Sequence, residues 1–172
     1  MQKNKVLGII TARGGSKRVP RKNVKDFLGK PLLAWSIEAG KKAEVFDRFI
    51  LTTDDKEIAE IGKKYGIEVP FLRPAELAVD TSSSYDVIKH VVEWLKDNEY
   101  YETEWIILLE PSSPGRQIFH IQEVTKIINE RNDIDSLIGI SETPAHFSYL
   151  KQQQRDEKGI ITRVGDGAIL RN

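Results

Sequence analysis

The sequence predicts an α/β fold of three layers with a mainly parallel sheet, and three observations carry that reading. Short apolar runs without period-2 alternation recur along the chain, stretches with helical spacing separate them, and the connections are short. Strands covered by helices on both faces read as continuous apolar runs, and in such folds ligands gather beyond the C-terminal ends of the strands.

The first run, Val6–Thr11, is the pattern of a doubly covered strand, and it leads to the glycine pair Gly14 and Gly15. After a basic loop, Pro31 can open a helix without losing a useful N–H, and Leu32, Leu33, Trp35, Ile37 and Ala39 continue it. A second strand is expected over residues 48–53. It meets Asp54 and Asp55, and Asp54 with Glu57 reads as a capping box for a helix whose face is Ile58, Ile61 and Tyr65, closed by Gly66. Residues 67–72 form a short strand candidate, and residues 81–84 cap a helix carrying Val87, Ile88, Val91, Val92 and Leu95 on one side. Residues 105–109 make the clearest buried strand. They run into a loop stiffened by Pro111 and Pro114, then a helix with Ile121, Val124 and Ile128 on its face, then a strand expected over residues 136–141. Beyond Glu142 the texture changes to a hairpin signal, with strands at 147–153 and 160–164 joined through Asp156, Glu157, Lys158 and Gly159. So short a ribbon is marginal alone and needs something to pack on.

Composition narrows the function. A chain of 172 residues, 40% hydrophobic and with 26 basic against 26 acidic side chains, has enough apolar matter for one core and too little net charge for disorder. Balanced charge provides no global field for nucleic acid or an anionic membrane, so an anionic ligand must meet a local cluster of cations. With no cysteine there is no disulfide framework, thiolate metal site or thiol nucleophile, which fits a cytoplasmic setting. The apolar run near the N-terminus is far too short to span a membrane, and no targeting segment is visible.

The sharpest segment is Thr11-Ala-Arg-Gly-Gly-Ser-Lys-Arg-Val-Pro-Arg-Lys-Asn23, with five cations, two glycines and a hydroxyl just after the first strand. Glycines let the backbone approach an anion, successive N–H groups form a nest, and Arg and Lys neutralise phosphoryl oxygens, so phosphates are the natural guest. It is neither a Walker loop nor the dinucleotide glycine motif. A solvated basic loop is the plain alternative.

In the order of its residues this segment resembles the opening motif of the acylneuraminate cytidylyltransferase family, the CMP-sialic acid synthetases and relatives acting on similar nine-carbon sugars. Further blocks follow in the family order: Pro31-Leu-Leu-Ala-Trp-Ser-Ile37, Phe46-Asp-Arg48, Thr53-Asp-Asp55, Val69-Pro-Phe-Leu-Arg-Pro-Ala-Glu-Leu-Ala78, Asp80-Thr-Ser-Ser-Ser84 and Glu110-Pro-Ser-Ser-Pro-Gly-Arg116. The resemblance implies a Rossmann-like nucleotidyltransferase core over residues 1–141. It also implies a small β-hairpin extension over residues 142–172 for dimerisation and acceptor binding. Its substrates would be CTP and a nonulosonic acid, whose anomeric hydroxyl attacks the α-phosphorus while pyrophosphate leaves, with Mg2+ as cofactor and a homodimer as assembly. By position in the motifs, Arg13, Ser16 and Lys22 would hold the triphosphate, Arg13 and Lys22 would stabilise transition-state charge, and Asn23 would contact the ribose. Arg73 and Ser84 would read cytosine, helped by the backbone around Ala12 and Ser82. Glu110, Arg116 and His146 are the acceptor-sugar candidates.

Some readings stay open beside these. Ser84 is also placed to cap a helix, and Arg73 to pair with Glu76. The family usually has Gln where this chain has Glu110; a carboxylate accepts hydrogen bonds and repels another carboxylate, so a diamino nonulosonic acid or a lost sugar site are the alternatives to sialic acid. The family's metal-binding Asp pair lies in a C-terminal segment that has no match here, so the reading expects a truncated copy whose metal ligands are unknown. Asp54 and Asp55 are the substitutes the sequence offers, against the capping role of Asp54. His90 and His120 lack ligand spacing and suit helix surfaces. A catalytically incompetent CTP-binding fragment, or an oligomerisation module built on the hairpin, are the competing functions.

Overall fold

The computed structural model describes residues 4–140, 142, 153–155, 157 and 161–163. The chain divides into two compact units, Met1–Ile134 and Asp135–Asn172. In the first, β1 (Val6–Thr11) is the central strand of a three-stranded parallel sheet, flanked by β4 (Arg48–Thr52) and β5 (Trp105–Leu108). Leu7 pairs with Arg48 and Val6 with Trp105, so all three strands point their C-termini the same way.

The pleat sorts alternate side chains to opposite faces. Leu7 and Ile9 of β1, with Ile50 of β4, meet Val91 and Leu95 of α3 (Ser84–Glu99). Ile10 and Leu51 face the other way, into a cluster with Leu33 and Ile37 of α1 (Leu32–Ala43), Ile58 of α2 (Lys56–Lys64) and Ile121 of α4 (Ile118–Glu130). Helices therefore cover both faces, the expected three layers. Each fully buried side chain of this kind contributes about 1.5–3 kcal/mol relative to exposure. Close approach of β4 and α1 depends on absent side chains: a Cβ on Gly8 would come within 2.6 Å of Phe49, and Gly40 of α1 makes room for the same ring, which stacks on Phe46.

Several expectations need correction. No strand ladder forms over residues 67–72; a single parallel bridge joins Ile50 and Glu68, because Pro70 has no N–H to donate. Even so, that segment runs beside β4, and the Arg73 N–H donates to the Thr53 carbonyl at 2.8 Å. The α2 cap is Asp55, whose side chain accepts from the Ile58 N–H, and the α3 cap is Ser83, which accepts from Asp86. Neither Asp54 nor Ser84 is a cap. A small hairpin, β2 (Asp26–Phe27) with β3 (Lys30–Pro31), precedes α1 and turns through Leu28 and Gly29, both at positive φ.

In the second unit, residues 136–140 are not a strand; Ile138 and Ile140 are 83% and 90% exposed. A period suited to a strand still needs a partner, and none is found among the described residues. The expected hairpin is present as β6 (Gln153–Arg155) antiparallel to β7 (Ile161–Arg163). The rest of its first arm, and His146, lie outside the described residues.

Candidate functional site

A cleft of about 720 Å3 opens beyond the C-terminal ends of the sheet strands. One side is the loop after β1, with Arg13, Ser16, Lys17, Arg18, Lys22 and Asn23. The other is formed by Arg73, Leu77, Val79, Asp80 and Ser82–Ser84, and Glu110, Pro111 and Ser112 stand at the exit of β5. Of the residues expected to hold a nucleotide, Arg13, Ser16, Lys22, Asn23, Arg73, Ser82 and Ser84 therefore share one cavity. Ala12 does not line it: it is buried in the core and donates its N–H to the Thr52 carbonyl at 3.1 Å.

The loop owes its shape to a few bonds. Asn23, nearly buried, donates from Nδ2 to the Arg13 carbonyl at 3.0 Å and accepts at its own carbonyl from the Leu33 N–H, tying the loop to α1. The Gly14 N–H donates to Asp54 Oδ1 at 3.1 Å, and a Cβ on Gly14 would lie 2.6 Å from Asp55 Oδ2, so only glycine fits against the β4 exit. Arg21, with φ near 56°, pairs with Asp55 and Glu57 at the start of α2. Lys22 and Arg18, by contrast, have no ion pair among the described residues.

Arg73 is 6% exposed and stands 3.6 Å from Asp54 Oδ1, not beside Glu76. Burial pushes its pKa down; the Asp54 carboxylate opposes that shift and the nearby Arg13 adds to it. Its Nε is shielded from solvent and has no hydrogen-bond partner among the described residues, while the residue itself lines the cleft. A buried donor left unpaired costs free energy. Asp54 thus joins the phosphate-suited loop to this arginine. Ser82 Oγ donates to the Glu76 carbonyl at 3.0 Å, and Ser84, at the first turn of α3, faces the cavity.

Glu110 lines the cleft with its carboxylate accepting from Ser112 Oγ at 3.3 Å. Arg116 does not line it. Half-buried, its guanidinium donates to Ser36 Oγ and the Glu110 carbonyl, holding the proline-stiffened loop on α1, and burial lowers its pKa against the opposing Glu110 charge. His90 packs edge-on against Phe71, and His120 accepts from the Gln117 N–H at the start of α4. Among the described residues no three His, Asp or Glu side chains converge as a metal would need.

Sequence reasoning missed Asp80, which pairs with both Arg13 and Lys17. Its only sequence signal is its place in the block that ends at Ser84. The partners are 67 residues apart, beyond the reach of any local pattern.

The chain is similar in sequence and fold to several known proteins. The pseudaminic acid cytidylyltransferase of Campylobacter jejuni is 48% identical over 99 residues, which cover 57% of this chain and 43% of the relative. The CMP-N,N′-diacetyllegionaminic acid synthase of Legionella pneumophila is 38% identical over 128 residues, 72% of this chain and 54% of the relative. The chain thus spans about half the length of these relatives. A solved structure of CMP:2-keto-3-deoxy-manno-octonic acid synthetase complexed with CTP shares the fold at a TM-score of 0.62, with 21% identity, over 76% of this chain and 49% of that one. The family model for cytidylyltransferase matches residues 7–154, from β1 into the hairpin, and by that span the chain belongs to the cytidylyltransferase family.

Proposed function

We propose that this chain binds CTP in the cleft and transfers CMP to the anomeric hydroxyl of a nonulosonic acid. The sugar oxygen gives up its hydroxyl proton to solvent and forms a bond to the α-phosphorus, the bond from that phosphorus to the bridging oxygen of the β-phosphate breaks, and pyrophosphate leaves. The observation that carries this reading is the shared cavity of Arg13, Ser16 and Lys22 with Arg73 and Ser84. Cations on one wall suit a triphosphate; the buried Arg73 guanidinium on the other, held by Asp54, suits the carbonyl of a pyrimidine. Arg13 and Lys22 would hold the charge that accumulates on the phosphoryl oxygens, and Asn23 would act on the ribose.

Glu110 favours an acceptor that presents N–H donors to it, and the Legionella relative is named for a sugar with two acetylated nitrogens. An N-acylated diamino nonulosonic acid is therefore the preferred acceptor over sialic acid. Mg2+ belongs to the reading through the family resemblance, yet the described carboxylates do not fit it. Asp54 is bonded to Gly14 and Arg73, Asp55 to Arg21, and Asp80 to Arg13 and Lys17. A cytoplasmic enzyme working as a homodimer through the β6–β7 hairpin completes the proposal.

Pyrophosphate release, measured with CTP and a panel of nonulosonic acids, tests it. Turnover is expected with CTP over other nucleotides and with N-acylated diamino acids first, in a species that light scattering weighs at two chains. Calorimetric CTP binding without any turnover would leave a binding protein in place of an enzyme.

A further inference from the structure

Asp80 engages Arg13, one of the residues expected to hold the triphosphate, at the edge of the cleft. Its carboxylate accepts from the Arg13 guanidinium at 2.7 Å and pairs with the Lys17 ammonium, the two cations nearest the start of the basic loop. Both interactions hold its carboxyl below the usual range, Lys17 first and Arg13 second. The residue is presented by neither strand nor long helix. It follows a short 3-10 turn, Ala75–Leu77, in a segment bonded to itself: the Ser82 N–H donates to the Val79 carbonyl, and Ser82 Oγ to that of Glu76. With its side chain 42% exposed, Asp80 can leave the cations for water without losing a buried partner.

Resting on the CTP reading above, we infer that Asp80 is a built-in competitor of the nucleotide's phosphates. A carboxylate and a phosphate both seek charge-assisted hydrogen bonds from the same guanidinium and ammonium, and as like charges they repel when they share them. Asp80 therefore holds Arg13 and Lys17 while the cleft lacks a polyphosphate, yields them when one enters, and takes them back when pyrophosphate leaves. It sets affinity for the polyphosphate part of a ligand and leaves the nucleoside part, on the side of Arg73 and Ser84, untouched.

Calorimetry on the full chain and its Asp80→Asn variant, with CTP, inorganic pyrophosphate and cytidine as probes, tests this. Removing two exposed ion pairs should tighten CTP and pyrophosphate about threefold to tenfold. Cytidine affinity should not change, and Asp80→Glu should restore the wild-type values. CTP binding that is unchanged or weaker in Asp80→Asn overturns the inference while leaving the nucleotide site intact. An equal gain for cytidine overturns it too. Failure of the wild-type chain to bind CTP overturns both this inference and the CTP reading.

Discussion

Glu110 shows how one atom's difference in a side chain redirects a site. A glutamine at the exit of β5 both donates and accepts; the carboxylate only accepts, and it stands in the cleft beside the Ser112 hydroxyl. The Glu110→Gln exchange should lower kcat/KM for an N-acylated diamino acceptor by about tenfold, the worth of one hydrogen bond to a charged group. Its effect on CTP should be small. Steady-state kinetics with CTP saturating measures this, and an unchanged kcat/KM would place the sugar away from Glu110. The loop residues proposed to meet phosphate were readable because glycines and cations crowd one short segment. Asp80 and Asp54 were not, since their roles come from partners brought close only by the fold.

At the scale of elements, the start of α2 bears two duties at once. Asp55 caps the helix through the Ile58 N–H and anchors Arg21 of the loop. The Arg21 hydrogen bond, and after it the Ile58 N–H, hold its carboxyl below the usual range against the opposing effect of burial. A folded-state pKa below the unfolded one means that the stabilisation is complete above the ordinary carboxyl range. It is lost as pH falls through the lower folded value. Asp55→Ala should cost about 1–2 kcal/mol at neutral pH, whereas Asp55→Asn keeps a capping oxygen and loses only the charge. Urea denaturation should show the gap between wild type and Asp55→Asn shrinking from neutral pH to about pH 3; a constant gap would remove the ion pair from the account. Adjacent aspartates made the choice of cap illegible in sequence, because both precede the helix and each has an acidic residue near its first turn. The three sheet strands and four helices were legible, as long apolar patterns are. The β2–β3 hairpin was not: two-residue strands have no period, and its turn puts Leu28, not Asn, at positive φ. At residues 136–140 the opposite failure occurs, a strand-like apolar run left exposed without a ladder.

For the molecule as a whole, the core of the first unit was predictable from its apolar pattern, while the hairpin pattern by itself named nothing for β6 and β7 to pack on. Net charge of zero also takes on a local form around the cleft. Arg13 and Lys17 are matched by Asp80, Arg21 by Asp55 and Glu57, and Arg73 by Asp54. From a distance, the paired cations of the loop thus show an approaching anion little, because each pair's field decays within roughly a Debye length of 8–10 Å, and the field that remains is chiefly that of Arg18 and Lys22. On the proposed reading, capture of CTP would rest on ordinary diffusion and on those two residues. Stopped-flow association rates should accordingly fall only about twofold to threefold between 50 and 300 mM salt, the effect of two unpaired cations, instead of the steeper fall that a loop with all five cations unpaired would produce. The consequence for the proposed site would be discrimination on contact: polyanions abundant in any cell would not be drawn in merely because they are charged, and a ligand able to take over these pairs would gain residence.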